Sequence, residues 1–297
     1  MKITDRVKEL YQSLNQRVDG RVEILKTAIQ RFGEQRAAQA SASLSYYALF
    51  SLFPLLLALI SLGGYFLESE QVRQQVLDLL YQGIPVSQDL ITQNLDRVID
   101  ARGSVGFIGL IGLIWSASGV FTGLAYNINL AWPETEPRNF FEKRLVAFTM
   151  IAVLILLLVL SIILQTTMTI LPNLEIPVIS KIEFLKTGLW SLLTNLIPWL
   201  LIFSMYLAIY RWVPTRRVDW VAVFWSALVT ATAWKLITNL FTWYLESGLG
   251  RYELVYGSLG TVVALMFLIY LMSWITLFGA HLCAAIEKWQ QEQHSAG

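Results

Sequence analysis

Residues 220–246 read WVAVFWSALVTATAWKLITNLFTWYLE, and this stretch decides how the rest of the chain is interpreted. It is apolar over more than the roughly 20 residues that a helix needs to cross a bilayer. It nevertheless carries a full charge, Lys235, in its interior, and Asn239, Thr242 and Glu246 follow at helical spacing. A charged side chain at membrane depth is energetically costly and marks a functional site by default. The stretch therefore predicts a spanning helix with a polar stripe.

The composition places this helix in a polytopic membrane protein. Of the 297 residues, 56% are hydrophobic and only 14% are charged, whereas a soluble domain has about 25% charged residues. We expect an all-α protein with six transmembrane helices, preceded by an N-terminal amphipathic helix. The six apolar segments lie at about 44–67, 103–131, 144–171, 186–211, 219–245 and 254–284.

The remaining segments give the predicted domain organisation. Residues 1–40 form a basic amphipathic region, with apolar residues every three or four positions from Val7 to Phe32. Its apolar face can lie on an anionic membrane surface or pack against the protein's own cytoplasmic loops. Residues 41–288 form the transmembrane domain, in which residues 68–102 make an external cap of two short helices. Residues 289–297 form a cytoplasmic tail.

The distribution of Lys and Arg predicts the orientation. Fifteen of these residues fall in the N-terminal region, the second and fourth connections and the C-terminal tail, and six fall on the opposite side. Because basic residues accumulate on the cytoplasmic side, both termini are expected in the cytoplasm. No apolar signal-peptide segment is seen within residues 1–40. We therefore predict a multi-pass membrane protein with both termini in the cytoplasm.

Two features indicate special helix geometry. Pro54 in the first span and Pro198 in the fourth each remove a backbone hydrogen bond and predict a helix kink. The second span carries small residues at steps of three and four, from Gly103 to Gly123. Such a row favours close helix packing, and a groove for a lipid chain is the alternative.

The composition argues against an enzyme. One cysteine and two histidines leave almost no ligands for a metal site and no nucleophile–base arrangement. Neither a Gly-rich phosphate loop nor a basic patch in a soluble domain is present. We expect no metal, no cofactor and no nucleic-acid partner. The expected partners are membrane lipids, together with an anionic small molecule or lipid headgroup.

Several strings together resemble a known family. They are ASLSYYALFSLFPLLL from residue 42, GLIWSASGVFTGLAYNINLAW from 112, VPTRRVDW at 213–220, YELVYGSLG at 252–260 and LFGAHL at 277–282. This set, in this order, resembles the YihY/BrkB family of bacterial inner-membrane proteins. The resemblance implies a six-helix membrane protein, described as a transporter or virulence factor, with no settled catalytic residues. Some members have carried a ribonuclease BN label, which nothing in this chain supports.

The chain departs from the family pattern at two positions. Relatives tend to carry Glu where this chain has Lys235, with Lys three residues later, where this chain has Thr238. They also tend to read Gly-Ala-Glu where this chain has His281 as the third residue. A mechanism built on those carboxylates therefore cannot be transferred to this chain.

The candidate site is a polar cavity in the outer half of the bundle. Lys235, Thr238 and Asn239 lie towards the external end of their helix, and Gln165 and Asn195 fall in the outer halves of theirs. If these residues converge, a lysine among them favours a phosphate or carboxylate group. The structural alternative is that Lys235 snorkels to the membrane surface and the amides join helices.

Three functions are consistent with these residues. The first is an inner-membrane transporter or lipid-translocating protein that uses the polar cavity. The second is an exporter of small compatible solutes, and the third is a non-transporting scaffold linked to envelope integrity. Arg216 and Arg217 are predicted to anchor the cytoplasmic interface or to contact a lipid headgroup.

Overall fold

The structure, a computed structural model, describes residues 21–63, 74, 77–78, 107–133, 136, 138–170, 190–247 and 259–296. Over this part of the chain it contains seven helices and no strand. In chain order they are α1 (Arg21–Glu34), α2 (Ala37–Gly63), α3 (Phe107–Asn129), α4 (Phe140–Ile170), α5 (Trp190–Trp212), α6 (Trp220–Glu246) and α7 (Leu259–Ala296). The predicted all-α fold is confirmed.

Helices α2 to α7 coincide with the six predicted apolar segments. Within the described residues, three stretches are long and apolar enough to cross a membrane: Phe140–Leu164, Trp220–Glu246 and Val262–Ser295. A shorter apolar helix covers Leu196–Trp212. The chain is thus a polytopic helical membrane protein, and the number of six crossings stays a prediction.

The helices form a ring in chain order. Each of α3 to α6 packs against the helix before and the helix after it, and α7 closes the ring against α2. Small residues permit close approach in several places. A Cβ added at Gly123 of α3 would lie 3.3 Å from Leu44 Cδ2 of α2, whereas one added at Gly119 would meet nothing within 4 Å. The small-residue row therefore serves helix packing at Gly123.

Helix α6 packs between α5 and α7. Its start is defined by Asp219, whose side chain accepts a hydrogen bond from Val221 N at 2.9 Å, as expected for an N-cap. The guanidinium of Arg211 lies 5.1 Å from the ring centroid of Trp220. The buried face near this end is small, with Ala222, Ser226, Ala227, Thr230 and Ala231 among its members. The packing face of α6 near its start is thus made of residues that let neighbouring backbones approach.

Helix α1 lies against α7 through part of its apolar face. Ala28 is fully buried, and Phe32 is buried with its ring centroid 4.9 Å from that of Trp274. Leu25 and Ile29, on the adjoining edge, are 49% and 56% exposed. Packing against the protein therefore accounts for one part of the amphipathic face. The membrane-surface alternative stays open for the other part, and residues 1–20 lie outside the description.

The last helix is longer than predicted. The final span was expected to end at residue 284, but α7 continues to Ala296. The apolar run stops before Glu287. Residues 287–296 (EKWQQEQHSA) include many good helix formers, so the helix extends beyond its apolar part. Pro54 and Pro198 lie inside α2 and α5. The predicted external cap at 68–102 falls outside the described residues apart from Gln74, Leu77 and Asp78, which are helical.

Candidate functional site

The predicted polar stripe lies on the exposed face of α6. Lys235 and Asn239 are both exposed and one helical turn apart. Thr238 is partly buried and its hydroxyl donates to the carbonyl of Trp234 at 2.9 Å. The side chains of Gln165 and Asn195 lie outside the description, although their backbones belong to α4 and α5. The predicted convergence of these side chains on one cavity stays a prediction.

Exposed apolar side chains also lie on this part of α6. Leu236, Leu240 and Trp243 on the same helix are 57%, 53% and 60% exposed, as expected of a surface in contact with lipid chains. Lys235 lies roughly 22 Å along α6 from Trp220, at 1.5 Å per residue. A bilayer core is about 30 Å thick, so the amino group is within reach of the far headgroup region.

The start of α6 belongs to one end of the bundle, which we term the basic end. Four segments meet there: α1, the described residues of 131–139 (131–133, 136, 138 and 139), residues 213–219 and the last part of α7. Arg31 donates to the carbonyl of Ala131 at 3.4 Å, and Arg138 donates to the carbonyls of Val213 at 2.6 Å and Pro214 at 3.1 Å. The basic residues predicted to share one side of the membrane are thus brought together here.

A buried carboxylate joins three of these segments. Glu287 of α7, with 7% of its side chain exposed, accepts from Trp132 Nε1 at 2.8 Å and forms an ion pair with Arg216 at 3.4 Å. These two contacts compensate the desolvation of its charge. Arg216, predicted as an interface residue, is therefore engaged within the protein, and Arg217 is exposed. Glu287 was missed because the predicted span stopped before it; an acid directly after an apolar helix is the signal that could have revealed it.

A cavity of about 450 Å³ adjoins this ion pair. Its charged lining comprises Arg31, Arg216, Glu287, Lys288 and Glu292. Lys288 and Glu292 lie 3.6 Å apart, and both are more than half exposed. Because the charges are mixed and largely paired, the cavity has no strong preference for a charged ligand.

Deeper in the bundle, two tyrosines connect α5, α6 and α7. The hydroxyl of Tyr210 lies 3.1 Å from Thr230 Oγ1 and 2.9 Å from the carbonyl oxygen of Thr276. Tyr206 Oη lies 2.9 Å from Thr276 Oγ1, and both tyrosines are fully buried. A Cβ added at Gly279 would overlap the Tyr210 hydroxyl and Thr230 Oγ1. Gly279 therefore makes the room into which Tyr210 inserts.

The described residues offer no metal site. Among them, no group of three His, Cys, Asp or Glu lies close enough to hold a metal ion. Cys283 is a free, buried thiol. His281 is buried, with its ring centroid 5.8 Å from that of Phe32 in an edge-on contact, so it packs between helices.

The chain matches known membrane proteins over almost its full length. A family model described as virulence factor BrkB matches residues 28–297. A protein of Bacillus subtilis (strain 168) named as ribonuclease-like is 23% identical over 269 residues, which cover 90% of this chain and 96% of the relative. A UPF0761 membrane protein of Aggregatibacter aphrophilus is 24% identical over 268 residues, covering 89% of this chain and 92% of the relative.

A UPF0761 membrane protein of Rhodospirillum centenum is 23% identical over 291 residues, which cover 98% of this chain but 63% of the relative. No solved structure matches the chain significantly. The matches confirm the resemblance drawn from the short motifs. The ribonuclease-like name is that of the Bacillus relative.

Proposed function

Because the chain belongs to the virulence factor BrkB family of membrane proteins, we propose that it moves anionic lipids between the two leaflets of the bacterial inner membrane. The headgroup would travel along the polar stripe of α6, while the acyl chains stay in the bilayer. Lys235 would supply the charge that attracts the phosphate, and Asn239 and Thr238 would supply hydrogen bonds nearby. In this proposal the protein is not an enzyme and needs no cofactor.

The exposure of Lys235 on a helix that also exposes Leu236, Leu240 and Trp243 is the observation that carries the proposal. A lysine in such surroundings is stabilised by an anionic group at the same depth. A lipid phosphate arriving from the bilayer can reach an exposed stripe directly. A soluble solute would instead need a path through the bundle, which favours a lipid over a compatible solute as the substrate.

The packing at the basic end supports a lateral path. Tyr210 fills the space above Gly279, and Trp132 and Arg216 close around Glu287. These contacts pack α7 closely against α5, α6 and the connection after α3. We place the basic end in the cytoplasm because Lys and Arg gather there. The stripe then leads from the outer half of α6 to Glu246 at the external surface.

The exposure of Lys235 also agrees with the scaffold alternative. A lysine near a helix end can also snorkel to the surface and stabilise the orientation of the helix without moving a lipid. The two functions differ in one respect, since only a translocating protein accelerates the exchange of lipids between leaflets.

Proteoliposomes test the proposal. We expect vesicles that contain the protein to move a fluorescent phosphatidylglycerol between leaflets faster than protein-free vesicles, as measured by dithionite quenching of the outer leaflet. Lys235→Met should lower the rate about fivefold to tenfold, because one charge contact at this depth is worth about 1 kcal/mol or somewhat more. Equal rates with and without protein would favour the scaffold.

A further inference from the structure

Helices α4 and α5 separate near the basic end and leave an apolar groove. The groove has a volume of about 190 Å³. Its lining includes Phe121, Val153, Met205 and Ala208, and the rim residues Leu145 and Trp212 are 66% and 64% exposed. A cavity of about 150 Å³ with an apolar lining already accepts a molecule the size of benzene. The groove therefore has the size and polarity for a segment of acyl chain.

A polar pocket of about 120 Å³ lies directly beside the groove. The two are adjacent because Arg138, in the pocket, donates to the carbonyl of Val213, which lines the groove. Among the described residues, the charged lining of the pocket comprises Arg138, Lys143 and Glu136, which together carry a net positive charge. Tyr126, at its edge, is 56% exposed and brings a hydroxyl group.

The cations of the pocket have donors to spare. Arg138 uses two of its five N–H donors for the carbonyls of Val213 and Pro214. Partial burial lowers the pKa of Arg138 and nearby Glu142 raises it, and an arginine remains charged under either influence. Lys143 makes no side-chain hydrogen bond or ion pair to any residue in the described ranges. The neighbouring Arg144, by contrast, is occupied by Trp115 and Ser118.

We propose that these two cavities form one binding site for an anionic phospholipid of the leaflet at the basic end. The phosphate binds Lys143 and the free donors of Arg138, and one acyl chain lies in the groove along Ala208 and Val153. The commitment to a lipid rests on charge complementarity next to an apolar groove that opens to the membrane. This site is separate from the stripe on α6, so it can hold a lipid whether or not the protein translocates lipids.

Native mass spectrometry of the purified full-length protein tests this site. The protein is titrated with dioleoyl phosphatidylglycerol and with dioleoyl phosphatidylcholine, which has the same chains and no net charge. Lys143→Gln should weaken phosphatidylglycerol binding about fivefold, because a basic residue near the headgroups contributes about 1 kcal/mol. It should leave phosphatidylcholine binding unchanged. Ala208→Phe fills the groove and should weaken the binding of both lipids.

Lys288→Gln is the control, since Lys288 is another cation of the basic end but lines neither the apolar groove nor the polar pocket. An equal loss in Lys143→Gln and Lys288→Gln would overturn the proposal, as would unchanged binding by Ala208→Phe. Displacement of the lipid by glycerol phosphate alone would contradict the role of the groove. If Ala208→Phe does not fold, Thr149→Leu fills the same groove from its rim. If Lys143→Gln and the groove variants lose lipid binding but exchange lipids between leaflets at the parent rate, this site is separate from the proposed function.

Discussion

At the scale of single residues, Gly279 allows three helices to meet. Tyr210 from α5 reaches the backbone carbonyl of Thr276 on α7 at 2.9 Å because no side chain at Gly279 intervenes. Its hydroxyl carries one proton, which serves either this carbonyl or Thr230 on α6 at a given moment. Buried hydroxyl groups need such partners, so the contact specifies the relative rotation of the helices.

The Gly279→Ala variant tests this contact. The new methyl group overlaps the Tyr210 hydroxyl, and we expect a loss of about 1–3 kcal/mol in the free energy of unfolding. Denaturant unfolding of the purified protein in detergent measures the loss. Gly119→Ala is the control, because nothing lies within 4 Å of its new Cβ; its stability should be unchanged or slightly higher.

A second variant identifies the partner of the overlap. Tyr210→Phe removes the hydroxyl, so the combination with Gly279→Ala should cost less than the sum of the two single changes. Additive losses, or equal stability of the two glycine variants, would contradict the described geometry.

Some of these residues could be predicted from the sequence and others could not, for a physical reason. Lys235 was recognisable because a charge within an apolar run is rare and costly. Tyr210 and Gly279 were not, because tyrosine and glycine are ordinary in spanning helices. Their pairing depends on how two helices separated by many residues are rotated against each other, and local spacing carries no information about that rotation.

At the scale of elements, Glu287 ties α7 to two connections. It joins Trp132 after α3 and Arg216 before α6, so the three segments are held at one end of the bundle. The bounds of the spanning helices followed from hydropathy because the bilayer requires apolar runs of fixed length. The polar extension of α7 could not be predicted from hydropathy. Outside the bilayer a helix is stabilised by packing and polar contacts, which hydropathy does not measure.

Glu287→Gln should destabilise the protein by about 1–3 kcal/mol, because it leaves Arg216 partly buried without its counter-charge. Arg216→Gln should cost less, since 35% of this side chain is exposed. A double-mutant cycle on thermal unfolding isolates the pair, and we expect a coupling of about 1 kcal/mol. A coupling close to zero would show that the ion pair contributes nothing to stability.

At the scale of the whole molecule, the ring of helices brings the basic segments to one end. The all-α, polytopic fold followed from the composition and from the length of the apolar segments. The sequence did not predict the order of the helices in the ring or the docking of α1 on α7. The apolar face of α1 is wide enough for one part to pack on α7 while another part stays exposed. Phe32 and Ala28 are buried on α7 while Leu25 and Ile29 are exposed, and the sequence pattern treats all four alike.

The orientation of the ring can be measured with single cysteines in a Cys283→Ala background. Thr215 and Ser295 are exposed at the basic end, and Ser247 is exposed at the far end of α6. With the basic end in the cytoplasm, an impermeant maleimide should label Thr215→Cys and Ser295→Cys only in inside-out vesicles. It should label Ser247→Cys only in right-side-out vesicles. Labelling of Thr215→Cys and Ser247→Cys from the same side would contradict the proposed topology.

We propose that the charge of Lys235 takes part in lipid translocation. The rate of lipid exchange in proteoliposomes tests this role most directly. Lys235→Met, Lys235→Arg and the control Lys288→Met are compared at equal protein density, with fluorescent phosphatidylglycerol as the lipid. We predict that Lys235→Met slows exchange about fivefold to tenfold, whereas Lys235→Arg and Lys288→Met retain most of the parent rate. A folded Lys235→Met protein that exchanges the lipid at the parent rate would contradict the claim.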